Sequence, residues 1–253
     1  MAKQKSIVKL SGTIDDITFS QTKDGFVARK KIPKVSKETL ATDPRYARLR
    51  ENMSEFDRGV SAGKKMRIAV QDALLNCSDK RLGTRLNQAM MTVLASDPTG
   101  KRGERSVANG NAALLKGFNF STASQLSTSM KLAFAFAIDR LTGKLTADIP
   151  SFVPEDVLVP SKGATHFKIH SAGVEINFGN NLHNTKMFES AGIALGTDPT
   201  PVINILHDLG ANSTNPLFLL VGIKFYQEVN GVFYPLKSNS SNALTIIDAD
   251  SVS

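Results

Sequence analysis

The chain has 253 residues, 41% of them apolar and 21% charged, enough for one large domain or two small ones with a real core. Its net charge of +8 is unevenly spread: residues 1 to 130 hold 23 Lys and Arg against 12 Asp and Glu, residues 131 to 253 hold 8 against 11. These numbers exclude wholesale disorder, a disulfide scaffold (Cys77 is the single cysteine) and a spanning helix, since no run of about 18 apolar residues occurs. The lysines at the start are not followed by an apolar run, so no secretory signal is read and the expected location is the cytoplasm.

In chain order, SIVKLSGTIDDITFSQTKDGFVARKK reads as an antiparallel meander of three short strands. Asp15-Asp16 supplies one turn and Lys23-Asp24-Gly25 the other, where glycine accepts a positive φ. Pro33 opens a polar connector to Thr42. Asp43 before Pro44 is a helix start: a capping carboxylate, then a proline whose missing N–H costs nothing in the first turn. Leu49, Met53, Phe56, Val60 and Gly63 recur at steps of four and three, and Met66, Val70, Ala73 and Leu74 continue the pattern. The spacing predicts a helix from Pro44 to Asn76, about 50 Å long at ~1.5 Å per residue. Gly59 and Gly63 mark either a kink or a close approach of another backbone. Ser78-Asp79 is positioned to cap a second helix with Leu82, Leu86, Ala89, Met90 and Val93 on one face. After the break at SDPTGKRG, a third helix is predicted from about Glu104 to Lys116, ended by Gly117.

Beyond Gly117 the apolar period falls to two. LAFAFAID and the return through Leu145, Ala147 and Ile149 form one hairpin. THFKIHSAGVEINF, TKMFESAGIAL, PVINIL, PLFLLVGIKFYQEV, VFYPL and ALTIID follow as strands, with Asn230-Gly231 the strongest hairpin signal in the chain.

The fold class read from this is α+β: an N-terminal β-meander with a basic helical cluster over residues 1–124, then an antiparallel β-sandwich, Ig-like or jelly-roll-like, over 125–253. No phosphate-binding GxxxxGK[ST], HExxH, GxSxG or paired CxxC occurs. Cys77, beside Leu74 and Leu75, reads as a small apolar filler. His166 and His170 are four apart, but on a strand that places them roughly 13 Å apart, too far to share one ion. GKRGERS, Gly100 to Ser106, has glycines and cations before the third predicted helix; without a preceding strand it reads as a loop rather than a phosphate cradle. No catalytic residue, metal or cofactor is assigned.

The basic stretch DPRYARLRENMSEFDRGVSAGKKMR carries the main ambiguity. Arg48 with Glu51, and Glu55 with Arg58, have the spacing of helical ion pairs worth ~0.2–0.5 kcal/mol each. The remaining cations read either as solvated helix faces or as a grip on phosphate. The residues available for phosphate contact are Arg45, Arg48, Lys64, Lys65, Arg67, Arg81, Arg85, Lys101, Arg102 and Arg105, without aromatic platforms for bases among them.

GTIDDITF, DGFVARKK, DPRYARLRENMSEF, IPSFVP, GATHFKIHSAG and GIKFYQEVNGVFYPLKSNSSNAL, in this order along nearly the whole chain, resemble a family of uncharacterised proteins of Bacteroidetes-type bacteria. The resemblance implies a two-part family and brings no activity, so it lends no residue a catalytic role. The expectation is a non-enzymatic structural or interaction protein that self-assembles or docks to a protein partner, with Arg45, Arg48, Phe56, Tyr226 and Tyr234 as contact residues. The alternative is a nucleic-acid-associated protein gripping phosphates through its basic half. Membranes are not an expected partner.

Overall fold

In the computed structural model, which describes residues 2–5, 7–31, 35–236 and 241–251, the chain divides into two units, Met1–Arg50 and Glu51–Ser253. Pro33, expected to open the connector, lies outside the described residues.

In the first unit, β1 (Ala2–Lys3), β2 (Gly12–Ile14), β3 (Ile17–Thr22) and β4 (Gly25–Lys30) form one sheet in the order β1-β4-β3-β2. Asp15, at φ 47, closes the β2–β3 turn, and Gly25, at φ 111, follows the turn into β4. The sequence predicts three strands, the first from the alternation that begins at Ile7; residues 7–11 are not strand, β2 starts only at Gly12, and β1 adds a strand along the free edge of β4. A short α1 (Lys37–Thr42) is capped by Ser36, whose side chain accepts from the Thr39 amide. Asp43 caps as expected, accepting from Arg45 N at 2.8 Å, but what it opens is a 3-10 turn, Pro44–Tyr46.

The helix that follows, α2 (Ala47–Ala69), is shorter than predicted: from Val70 the chain continues as turns to Leu75, and Asn76 takes φ 63. Its buried stripe is Glu55, Gly59, Ala62, Gly63, Met66 and Ala69, which leaves Met53 and Phe56 exposed. The reason lies in α3 (Leu82–Ala95), whose Met91 and Asn87 side chains lie where a Cβ on Gly59 or Gly63 would stand. Of the two readings of these glycines, close approach is the one realised, and the small residues rather than the large ones turn inward. The apolar face of α3 is as predicted, with Leu82, Leu86, Met90, Val93 and Leu94 buried. Asp79 is not its cap; Arg81 takes that place without a side-chain bond. The predicted third helix is absent. Residues 101–110 form turns, and only Ala112–Leu115 coils, as a 3-10 turn capped by Asn111. Ser106 N, inside the predicted span, donates to Asp97, and Gly103 N, just before it, donates to Glu55, as described below.

The rest of the second unit is the sandwich. Short helices α4 (Leu126–Ser129) and α5 (Pro154–Val157) flank β5 (Ala135–Asp139) and β6 (Lys144–Ile149). Then come β7 (His166–Ile176), β8 (His183–Glu189), β9 (Ile193–Ala194), β10 (Ile203–Asp208), β11 (Leu217–Val229), β12 (Val232–Pro235) and β13 (Ala243–Asp250). One antiparallel sheet runs β10-β6-β5; the other runs β12-β11-β7-β8, with β13 also on β11 and β9 on β7. Asn230 at φ 54 and Gly231 at φ 79 make the predicted β11–β12 turn.

The larger sheet is buried on both faces, which explains the unbroken apolar run in β11. Leu217, Leu219, Val221, Ile223 and Phe225, with Phe167 and Ile169 of β7, pack on Leu145, Ala147, Ile149, Ile203 and Ile205 of the smaller sheet. Phe218 and Leu220, with Ala172, Val174 and Ile176, pack on Met66, Leu86, Met90 and Val93 of the helices. Each Val, Leu, Ile, Phe and Met among them stabilises the fold by about 1.5–3 kcal/mol of transfer free energy. The mixed α+β class with a C-terminal antiparallel sandwich is thus the observed architecture. The boundary drawn at 124/125 falls inside the second unit, because the helices share a core with the sheet. The segment before that boundary also pairs with β13: Gly117 N donates to Ile246 O at 2.8 Å and Phe120 N to Leu244 O at 3.0 Å. Among the described residues no helix is long and apolar enough to cross a membrane.

Candidate functional site

Many of the ten candidate phosphate-contact residues have internal partners. In the first unit Arg45 pairs with Asp43 at 2.6 Å, which lowers the Asp43 carboxyl, and Arg48 is exposed. In the second unit Arg85 reaches Asp79 at 2.8 Å, donates to Asn119 O at 2.7 Å and Phe120 O at 3.1 Å, and stacks over Phe118. Arg102 lies 3.4 Å from Glu51, and Arg105 lies 2.9 Å from Glu55. Lys65 donates to the Phe178 carbonyl, and Arg67 makes a long bond to Gly63 O at 3.4 Å. The charged ends of Arg48, Lys64, Arg81 and Lys101 have no hydrogen bond or ion pair among the described residues. The expected Glu55–Arg58 pair does not form: Arg58 donates to Ser54 Oγ at 2.7 Å and to the carbonyls of Gly103 and Arg105.

The loop of residues 97–106 shows why it does not present a cradle for phosphate. The buried Asp97 carboxylate accepts from Thr99 N (2.9 Å), Thr99 Oγ1 (2.8 Å), Gly100 N (3.0 Å) and Ser106 N (2.9 Å). Burial works to raise its pKa, but the amides of Gly100, Ser106 and Thr99 outweigh it and hold the group at about 2. Glu55, on α2, accepts from Gly103 N at 2.8 Å. The free N–H groups that would attract an anion are thus already facing the protein's own anions.

A different environment lies between α2 and the β7–β8 turn. Ser61, Lys64, Lys65 and Ile68 on one side and Ile176, Asn181, Leu182 and His183 on the other line a cavity of about 360 Å³. No acidic residue is among them.

Two buried pairs have the composition of catalytic dyads and the environment of structural ones. Ser171 Oγ lies 2.9 Å from His207 Nε2 and 2.6 Å from Leu220 O, between the two sheets. The single hydroxyl proton goes to the carbonyl, so the imidazole N–H donates to Oγ and cannot serve as its base. Burial lowers His207 to about 4. Cys77 Sγ and His170 Nε2 are 3.9 Å apart on the helix-facing side, both enclosed. Burial pushes the thiol up to about 12, against the pull of Lys224; it also drives His170 well below its usual value, and the Lys224 charge adds to that. A thiol beside a neutral imidazole in this setting is a packed polar contact, consistent with the filler reading of Cys77.

Sequence reasoning missed both pairs, which join residues 36 and 93 positions apart. It also missed the cavity, whose only local signal was the helical spacing of Ser61, Lys64, Lys65 and Ile68. His166 and His170 share the helix-facing side of β7, but His166 lies 3.2 Å from Glu228 while His170 is enclosed. Among the described residues no group of three or more His, Cys, Asp and Glu could hold a metal.

The expected contact residues separate by burial. Tyr226 is in the core at 9% exposure, its hydroxyl donating to Glu189 at 3.2 Å; burial and the Glu189 carboxylate raise its pKa. Tyr234 and Phe56 are exposed at 54% and 56%. No protein family, curated protein or solved structure matches the chain.

Proposed function

We propose that the protein acts by contact rather than by chemistry: a non-enzymatic, self-associating protein of the cytoplasm whose partner is a second copy of the same chain. The observation that carries the reading is the exposure of large apolar side chains on two regular elements of the second unit. Met53 and Phe56 stand one turn apart on the outer side of α2, and Val229, Val232 and Tyr234 flank the β11–β12 turn. Scattered apolar residues on a surface are ordinary, but aromatic and aliphatic side chains held together on rigid elements are what an interface core uses.

A second copy is proposed as occupant because the same chain offers both patches, one on α2 and one at the β11–β12 turn, and a head-to-tail contact between copies joins two different patches. The phosphate-gripping alternative keeps Arg48, Lys64, Arg81 and Lys101 as its free cations.

Light scattering on the eluting protein tests both readings. Self-association predicts a mass above 27.3 kDa that rises with concentration, and a return to that mass in the Phe56→Ser, Tyr234→Ser double variant. A strict monomer up to about 200 μM, weaker than any specific interface of standard size, overturns it. If that monomer also retards a duplex oligonucleotide, with log affinity falling by ~0.9 per phosphate contact against log salt, the nucleic-acid reading replaces it.

A further inference from the structure

The cavity between α2 and the β7–β8 turn gathers cations that the fold leaves without counter-charge. Ser61, Lys64, Lys65 and Ile68 have i, i+3, i+4, i+7 spacing and share one helix face. Across from them, His183 is the register partner of Ile176, so its ring stands on the helix-facing side of the sheet.

The turn between the strands is tied down. Asn177 Oδ1 accepts from Gly179 N at 2.9 Å and Asn180 N at 3.2 Å, Asn180 Oδ1 accepts from Leu182 N at 3.2 Å, and Asn177 N donates to Leu182 O at 2.9 Å. Glu175, next to Ile176 in β7, projects from the opposite face, and its Oε1 accepts from Ser213 Oγ at 2.5 Å and Asn215 Nδ2 at 2.8 Å. It does not neutralise the lysines.

The geometry points to a binding site for a small phosphate monoester with an apolar body. Lys65 is positioned in advance by the Phe178 carbonyl, which occupies one of its three N–H donors and leaves two for a ligand. Lys64 adds a second ammonium with no partner among the described residues, and the Ser61 hydroxyl, Asn181 amide and His183 imidazole add further polar groups. A dianion satisfies two fixed positive charges better than a monocarboxylate does. Ile68 and Leu182, exposed at 45% and 67%, with the buried Ile176, supply apolar surface for the rest of the molecule. The volume of about 360 Å³ is that of a small-molecule site rather than a track for a polymer.

Phenyl phosphate is the probe, titrated into the full chain at constant ionic strength by calorimetry and phosphorus NMR, with inorganic phosphate as comparator. The expected result is saturable one-to-one binding with Kd of about 1 mM or below. Phenyl phosphate binds several-fold tighter than inorganic phosphate because of the apolar wall. Lys64→Gln weakens it about tenfold, the scale of one lost charge-assisted bond, while Lys101→Gln, which removes an exposed cation elsewhere, leaves it unchanged. Circular dichroism and a thermal melt on the same samples confirm that both variants are folded. Failure to saturate by about 20 mM, or equal weakening in the two variants, overturns the assignment. Neither outcome depends on whether the chain self-associates.

Discussion

The loop of residues 97–106 and the groove between α2 and the β7–β8 turn both read as cationic in the sequence. In the loop, Arg102 and Arg105 meet Glu51 and Glu55, and Asp97 takes the amides of Thr99, Gly100 and Ser106. In the groove, Lys64, Lys65 and His183 meet a carbonyl, an amide, a hydroxyl and three apolar side chains, and no carboxylate. Charge counted along a chain is therefore not charge available to a partner. What separates the two regions is where acidic residues fall once the chain has folded: Glu55 lies 50 positions from Arg105, and among the described residues no acid pairs with Lys64. The first region uses its charges to hold a loop on a helix, and the second has no carboxylate in its lining.

The largest effect expected from this comparison is on the loop. Asp97→Ala removes the acceptor for three amides and the Thr99 hydroxyl at a buried position, and orphaned donors of this kind cost about 1–3 kcal/mol each before relaxation. Urea unfolding is expected to show a loss of about 3 kcal/mol, with partial recovery in Asp97→Asn, which keeps one carbonyl acceptor. A loss under about 0.5 kcal/mol, the level of an ordinary surface change, would put the loop and the groove in the same class and break the comparison.

The next effect is in acid. The Asp97 carboxyl titrates at about 2 in the folded protein against 3.8 ordinarily. A depressed carboxyl contributes stability that is complete above its unfolded value and is lost as pH falls toward the folded one. Stability is thus expected to decline between pH 3.8 and about 2, and Asp97→Asn is expected to flatten that limb. Chemical unfolding repeated across this range is the measurement; an unchanged slope in the variant contradicts the assignment.

How much of this was legible depends on sequence distance. The β11–β12 hairpin was legible because Asn230-Gly231 encodes its own turn, and the strands β6 and β10 because alternation states which face is buried. The inward face of α3 followed from Leu82, Leu86, Met90 and Val93. The rotation of α2 was not legible: Met53, Phe56 and Val60 make the better apolar stripe, yet Gly59, Ala62 and Gly63 face inward, because α3 approaches too closely for larger side chains. The third helix was not legible either: Val107, Leu114 and Leu115 have helical spacing, but the loop before them is folded around Asp97 and Glu55, which accept from Ser106 N and Gly103 N, and nothing local records those partners. The candidate site was least legible of all, since His183 enters it through its register with Ile176 across a strand pair.

The smallest effect is the one that separates the two regions most directly. Lys64 stands three residues before Arg67 on α2 and lines the cavity with His183, with no acid in that lining. Like charges at such helical neighbour positions destabilise by about 0.2–0.5 kcal/mol. Lys64→Gln is therefore expected to raise stability by about 0.3 kcal/mol at low salt, where the Debye length is about 30 Å, and to have no effect near 1 M salt, where it is about 3 Å. Lys101 is also exposed, but it sits in the loop that carries Asp97 and Glu104 and whose arginines meet Glu51 and Glu55 of α2. Lys101→Gln removes a cation from a region rich in anions and is expected to lower stability by a similar ~0.3 kcal/mol, again only at low salt. Thermal melts of the two single variants at both salt concentrations resolve the sign even where the size is near the error. Opposite signs at low salt that converge at high salt locate the uncompensated positive charge in the groove; the same sign in both variants would mean that the fold neutralises the two regions alike.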